Sequence, residues 1–486
     1  MRAADLTIIV VYLAAVVAAG IACRGRQESI DDYFTGHGTL SGRFGALLIG
    51  LSIAATFFSG VSLVAYVGTS FRHGAAMILG LVCLPLAWLI LRGWFLPRYL
   101  AENGRHPYEI IERRFGPAIR LCLSAMFILL RIGWMGVLIY APALIVMGAA
   151  GLGPEWFWPV VAMVGVSSTV YTVLGGIRGV IVTDALQFVV ILIGVFGVLV
   201  LTWAKLDLSA GAALAWLREQ GRLAVFDFSL DPVRPFTFWA VVGGVTVSNL
   251  GSYLADQMSL QRYLASASLR EAQRAFAVNV WSAGAVLVTL ILAGLLLSVW
   301  YAHHPDPALP ADPDLVLSHF IAKELPVGMS GLLIAAILAA TMSSMTSGIN
   351  SLAGALTNDW LLRFGRARTP QELYRFGRTA SLAIGVVSTL AAGLAAHFGS
   401  LMIASFTVMG AFLGPMLAVM LLAVSRWQVR RSFVLSGLVA GVGCGWAVAL
   451  SPATGLWVPP VSFAVAILIP LAGRLATAGA PELSRV

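Results

Sequence analysis

The chain has 486 residues, 59% hydrophobic and 11% charged, with a mean hydropathy of +0.89. Soluble domains carry about a quarter charged residues, so a soluble multidomain protein is excluded and a polytopic, all-α membrane protein is expected. The formal charge of +9 would suit a nucleic-acid binder, but the basic residues lie in short loops between apolar blocks, which is a topology signal rather than a nucleic-acid footprint.

The first apolar block, 6–22, follows Arg2 and could pass for a signal peptide. Its end, "GIAC", lacks the large aliphatic residue of a lipoprotein signal, and the many apolar blocks behind it favour an uncleaved first helix. Further blocks fall near 44–70, 74–96, 118–148, 155–175, 180–204, 236–261, 275–301, 328–361, 376–396, 400–425, 432–450 and 457–474. Stretches of this length cross a bilayer as helices, so thirteen spans are predicted. Most of the 31 Lys and Arg sit in alternate loops, such as "CRGRQESIDDYF", "RYLASASLREAQR" and "RFGRARTPQELYRFGR". Because basic short loops stay cytoplasmic, the topology reads N-out and C-in. The outer loops near 205–235 and 302–327 are acidic, and the second is Pro-rich ("HHPDPALPADPD") and expected to cap the outer face. Residues 1–486 form a single transmembrane domain in this reading, and the four cysteines are scattered packing residues.

Four stretches place polar groups inside apolar blocks. The second span carries "ATFFSG" at its midpoint. An unwound turn there would release the carbonyls of Ala55 and Phe58, as at the broken helices of transporters. Arg131, in "FILLRIGWMG", lies too deep in the fourth span for easy snorkelling. Its fork of donors fits a substrate carboxylate, or else a structural acid or helix-end carbonyl. Asp184, in "YTVLGGIRGVIVTDALQF", either needs a cation or donors at membrane depth or sits at the cytoplasmic interface. Near residue 340, "LAATMSSMTSGINS" crowds Ser343, Ser344, Thr346 and Ser347 into little more than one turn. Residues three and four apart share a helix face, so these hydroxyls form an oxygen-only set suited to a small hard cation. Membrane hydroxyls also bond their own helix or glue neighbours together, which is the plainer alternative.

These stretches, with "DDYFTGHGTLSG", "DQMSLQRYLASASLREAQ", "MGVLIYAPAL" and "SFTVMGAFLGP", resemble the sodium/solute symporter family, and especially the branch of iodide, monocarboxylate and multivitamin carriers. The resemblance implies a LeuT-type fold. Segments 44–204 and 236–425 would form a five-plus-five inverted repeat, with one extra helix before it (6–22) and two after it (432–474). It implies a sodium site on Ala55, Phe58, Ala340, Ser343 and Ser344, and a second on Asp184, Ser343, Thr346 and Ser347. It places a substrate cavity among Phe57, Ser62, Tyr66, Leu84, Asn249, Tyr253 and Phe412, with Arg131 as a further candidate. Two cavity glutamines of the iodide carrier align with Ser62 and Leu84, and its seventh-span tryptophan aligns with Asn249, which argues against iodide. The acidic third-span residue of sodium–sugar carriers is absent, and Asp256 replaces an asparagine of the nearest branch.

The expectation is a sodium-coupled symporter of the cell membrane importing a small polar solute, most simply a small organic anion given Arg131. A sugar or other neutral solute is the alternative. A sensor built on the same core would carry a signalling domain, for which the tail "RLATAGAPELSRV" leaves no room. An enzyme would need a nucleophile with its base, or a metal cluster, inside the spans, and none is evident. The expected partners are a small-molecule substrate, sodium ions and the lipid bilayer, with no nucleic acid and no obligate protein partner.

Overall fold

A computed structural model describes residues 3–23, 30–36, 40–365, 369–393, 401–425 and 427–478. The middle of "DDYFTGHGTLSG" (37–39) and the junction 394–400 between the tenth and eleventh expected spans lie outside them. The extended elements among the described residues are all helices, as lipid demands when backbone groups must be satisfied internally. Among the described residues nine helices are long and apolar enough to cross a membrane, or ten when one bent pair is counted as a span.

Helix α1 (Ala3–Ala22) enters first. The second apolar block is not one rod but two helices, α2 (Gly42–Phe57) and α3 (Gly60–His73), broken at Phe58–Ser59. Ser59 caps α3 by accepting from the Ser62 amide, so the sequence that interrupts one helix also starts the next. Gly60 is needed there: a Cβ would stand 2.4 Å from Thr341 Oγ1 and 2.5 Å from Pro142 Cγ. The third block winds through a 3-10 turn (Gly74–Val82), an α segment (Cys83–Ile90), a π turn (Leu91–Phe95) and a last α turn (Leu96–Ala101).

Helix α4 (Pro117–Ala150) carries Arg131. The fifth and sixth blocks form one kinked element, α5 (Phe157–Lys205), whose two arms meet at Gly176 with φ 55° and ψ −157°. Only glycine adopts that conformation without strain, so "LGGIRG" is the hinge between the arms. The seventh block is also broken: α6 (Phe238–Leu254) and α7 (Gln257–Ala265) meet at 47°. Residue patterning alone had shown no break here. Asp256 makes it, because its carboxylate accepts from the Met258 amide at 2.8 Å and starts a new helix.

Helix α8 (Leu269–His303) packs on α2 and α3. Helix α9 (Met329–Ala355) is the central pillar and packs most extensively on α5. Its N-terminal end is held by Asp5 of α1, whose Oδ1 accepts from the amides of Gly328 (2.8 Å) and Gly331 (3.0 Å). These are otherwise orphan donors of a helix N-terminus, where a carboxylate is also favoured by the helix dipole. Helices α10 (Pro370–Ala391), α11 (Leu401–Val424), α12 (Arg431–Ala449) and α13 (Val458–Ala478) complete the bundle, with α11 to α13 packed together at one side.

Candidate functional site

The break between α2 and α3 faces the hydroxyl-bearing turns of α9. Ser343 Oγ lies within hydrogen-bond reach of two carbonyls, that of Ala55 at 3.0 Å and that of Ala340 at 3.1 Å. Ser344 Oγ donates to the Thr56 carbonyl at 3.1 Å. Phe58 stands at the break itself, with non-helical φ −92° and ψ 89°. All these residues are buried. The set is built wholly of uncharged oxygen donors from a helix end and a facing hydroxyl face, with Thr56 added to the residues the family resemblance named. One serine proton shared between two carbonyls leaves lone pairs that a small cation can use.

The second expected set converges around Asp184, which is fully buried within the protein. Thr346 Oγ1 lies 3.4 Å from Asp184 Oδ1, and Ser347 Oγ donates to Oδ2 at 3.2 Å. Two further residues complete it that sequence reasoning missed. Ser52, four residues before Thr56, donates to Asp184 Oδ2 at 2.8 Å. Arg262 of α7 pairs with the same oxygen at 2.8 Å, while its Nε donates to Ser52 at 2.8 Å and its Nη1 to the Met258 carbonyl at 2.6 Å. The same guanidinium reaches Ser347 Oγ. In the sequence Arg262 reads as a loop cation, yet it is only 1% exposed, because the bend before α7 turns that segment inward. Ser343 belongs to this set only through the backbone: its carbonyl accepts from Thr346 Oγ1 at 3.1 Å.

Beside the break lies a cavity of about 130 Å³. Of the expected lining residues it brings together Phe57, Ser62, Tyr66, Leu84, Arg131, Asn249 and Tyr253. Phe412 is not on its wall. That ring packs edge-on against Trp446 at 6.1 Å, and the cavity is met one to two turns earlier in α11, by Met409 and Phe406. Ser59, Ser248 and Ser252, which were not singled out, add hydroxyls to the wall. Phe57 and Tyr253 meet edge-to-face at 4.9 Å, and Asn249 is held by its amide donating to the Val245 carbonyl at 3.0 Å.

Arg131 reaches the cavity from α4 and also pairs through Nη2 with Asp256, the residue that caps α7. So the structure supplies the structural acid that the sequence allowed, and it also places the arginine on the cavity wall. Its Nε is buried with no hydrogen-bond partner among the described residues.

A second network ties the first residue of α7, Gln257, to its neighbours. Arg120 donates from Nε to Asp359 Oδ1 at 2.9 Å and from Nη1 to Glu112 at 2.7 Å. Gln257 donates to Asp359 Oδ2 at 3.1 Å. Arg363 also pairs with Glu112. Partial burial works to raise the Glu112 carboxyl, but the hydrogen bonds from Arg363 and Arg120 outweigh it and hold the group below the usual range.

Residues 33–441 match the family model described as "Sodium:solute symporter family". The chain belongs to the sodium:solute symporter family. Among relatives, it is 31% identical to the human sodium/iodide cotransporter over 88% of this chain and 66% of that one. It is 28% identical to the human sodium-coupled monocarboxylate transporter 2, over 85% and 68% of the two chains. It is also 28% identical to the sodium/sialic acid symporter NanT of Aliivibrio fischeri, over 92% and 86%. The chain therefore spans about two thirds of the length of the human relatives. A solved Na+-coupled sialic acid symporter, in a substrate-bound outward-open state, superimposes with a TM-score of 0.88 at 23% identity, covering 99% of this chain and all of that one. The chain shares that fold, and membership of the symporter family together with its long apolar helices makes it a multi-pass membrane protein.

Proposed function

We propose that this symporter-family chain is a sodium-coupled secondary active transporter of the cell membrane, not an enzyme, that imports a small organic anion by alternating access. The observation that carries the reading is the meeting of Ser343 and Ser344 with the carbonyls of Ala55, Thr56 and Ala340 at a helix break. An uncharged oxygen cage at membrane depth suits sodium, whose lost hydration those oxygens replace. Bound there with Phe58, sodium would hold α2–α3 against α9 and complete the neighbouring cavity. Closure would then expose both ligands to the cytoplasm, driven by the sodium gradient and by about 2.3 kcal/mol per charge per 100 mV. In this reading the chain has thirteen spans, N-out and C-in, arranged as the five-plus-five inverted repeat of 44–204 and 236–425 with helices 6–22 and 432–474 outside it.

The anion preference rests on Arg131. Arg131 is on the cavity wall and its Nε has no partner among the described residues, so in this reading the guanidinium has a donor for one carboxylate oxygen of a substrate resting among Phe57, Ser62, Tyr66, Leu84, Asn249 and Tyr253. Phe412, displaced from the wall, would act through Trp446 rather than by contact. The names of the monocarboxylate and sialic acid relatives point to carboxylates as well. A neutral solute is the second reading, supported by Asp256, which already balances the arginine's charge, and by the serine-rich wall. A second sodium on Asp184, Thr346 and Ser347, with the Ser343 carbonyl, would have to share the carboxylate with Arg262.

The test is purified protein in detergent, unfolded thermally in sodium chloride and in choline chloride, followed by uptake of a panel of small carboxylates and sugars into proteoliposomes. A ligand at about 100 times its dissociation constant stabilises by roughly 2.7 kcal/mol. The expected result is a sodium-specific rise that Ser343→Ala removes, and sodium-driven uptake of a carboxylate. No sodium-specific rise would overturn the coupling. Sodium-driven uptake of sugars alone would select the neutral reading.

A further inference from the structure

On its outer surface the bundle carries a groove of about 780 Å³ between the third apolar block and α8, separate from the cavity described above. Its walls are almost wholly apolar, led by Trp88, Phe196 and Trp281, and Trp281 is 81% exposed. Along α8 the lining runs from Ala277 to Leu292. At 1.5 Å per residue that is about 22 Å, enough for an acyl chain of one leaflet, which occupies about half of a 30 Å core.

One end of this groove is basic. Arg270 and Arg274 are exposed on α8 at four-residue spacing, and that stripe continues through Ala277 and Trp281 into the groove. On the opposite wall Arg92 lies over the Trp88 ring at 4.8 Å. Gln273 Nε2 donates to the Arg92 carbonyl at 2.9 Å, which holds the two walls together at that end. None of the three arginines has a carboxylate partner among the described residues. The nearest acid in sequence, Glu271, is engaged by the Gly42 amide at 2.8 Å.

We propose that this groove is a binding site for an anionic glycerophospholipid, with one acyl chain lying along α8 against Trp88 and Trp281 and the phosphate held by Arg92, Arg270 and Arg274. Three unpaired guanidiniums where an apolar slot opens match a phosphodiester joined to a hydrocarbon tail and match neither part alone. In the N-out orientation proposed above, this end faces the cytoplasmic leaflet. The site also touches the central cavity: Leu84 is on the wall of both, and Ala283 of the cavity adjoins Gly284 of the groove. A bound chain would back that wall and keep Leu84 turned inward.

The test is native mass spectrometry of the full chain in a mild detergent, titrated with phosphatidylglycerol, phosphatidylethanolamine and glycerol 3-phosphate. Two variants are needed. Arg92→Gln with Arg274→Gln removes charge. Gly284→Leu fills the groove from a position where a Cβ meets only Leu84 Cδ1, at an ordinary 3.5 Å. At roughly 1 kcal/mol per arginine near a membrane surface, phosphatidylglycerol should bind at least about tenfold tighter than phosphatidylethanolamine. That preference should disappear in the double variant, and Gly284→Leu should lose binding of both lipids. A sodium-dependent unfolding midpoint unchanged from wild type shows that each variant is folded, independently of the lipid result. Equal retention of the two lipids by wild type, retention undiminished in Gly284→Leu, binding of glycerol 3-phosphate as tight as of the lipid, or a dimer that Gly284→Leu disrupts would each overturn the proposal.

Discussion

Arg131 and Arg262 are both buried, and each is paired with a buried aspartate, yet they use their donors differently. Arg262 donates to Asp184, Ser52, Ser347 and the Met258 carbonyl, so its fork is committed on several sides. Arg131 has Asp256 on one side and an unpartnered Nε on the other. A buried cation with its donors satisfied closes a structure, whereas one with a spare donor at a cavity wall is able to hold a ligand. The first pair therefore locks α7 to α2, α5 and α9, and the second leaves a donor unused in a residue of the cavity wall.

The largest expected effect comes from breaking the committed pair. Removing one partner of a buried ion pair costs about 3–5 kcal/mol because it strands the other charge. Arg262→Ala should lower the unfolding free energy by that amount, and adding Asp184→Ala should restore part of it; purely additive losses would mean that the two do not act as a pair.

Sodium comes next. Ser343→Ala should abolish the sodium-specific stabilisation, expected to be roughly 2.7 kcal/mol near saturation. Ser347→Ala should leave it largely intact if Arg262 already serves Asp184. Loss of the sodium response in both variants would instead mark Asp184 as part of a working cation site.

Arg131→Lys keeps a cation for Asp256 but removes Nε. A hydrogen bond to a charged group is worth about 1.5–3 kcal/mol, so KM for a carboxylate substrate should rise about tenfold or more while the unfolding midpoint barely moves. A fall in stability at unchanged KM would make Arg131 a second Arg262.

The smallest change lies farthest from both pairs. Asp5→Ala should cost about 1 kcal/mol through loss of the cap on α9, measured by unfolding, with transport parameters unchanged.

The two pairs also differ in how far they were readable in the sequence. Ser343, Ser344, Thr346 and Ser347 were legible as a cluster because helical spacing is local, and the break at "ATFFSG" was legible because glycine and hydroxyls interrupt an apolar run. Arg131 was legible because an arginine deep in an apolar block is rare. Arg262 was not, since an arginine at the end of a block reads as a loop cation until the bend at Asp256 turns it inward. Ser52 was missed for the same reason: one serine in a helix says nothing until Asp184 stands opposite it. Phe412 was expected at the cavity and shares a helix face with Ser405 and Met409, but it lies further along α11, past the cavity, where the packing of α12 sets Trp446 against it.

What the sequence by itself determined was the solvent, the helices and the chemistry of single segments, all of which follow from hydrophobicity and from spacings of a few residues. Partnership was decided only by the tertiary structure. The bends at Phe58, Gly176 and Asp256 are small local events, but each swings a helix end. Which arginine meets which aspartate, and which keeps a donor free, depends on where those swung ends come to rest.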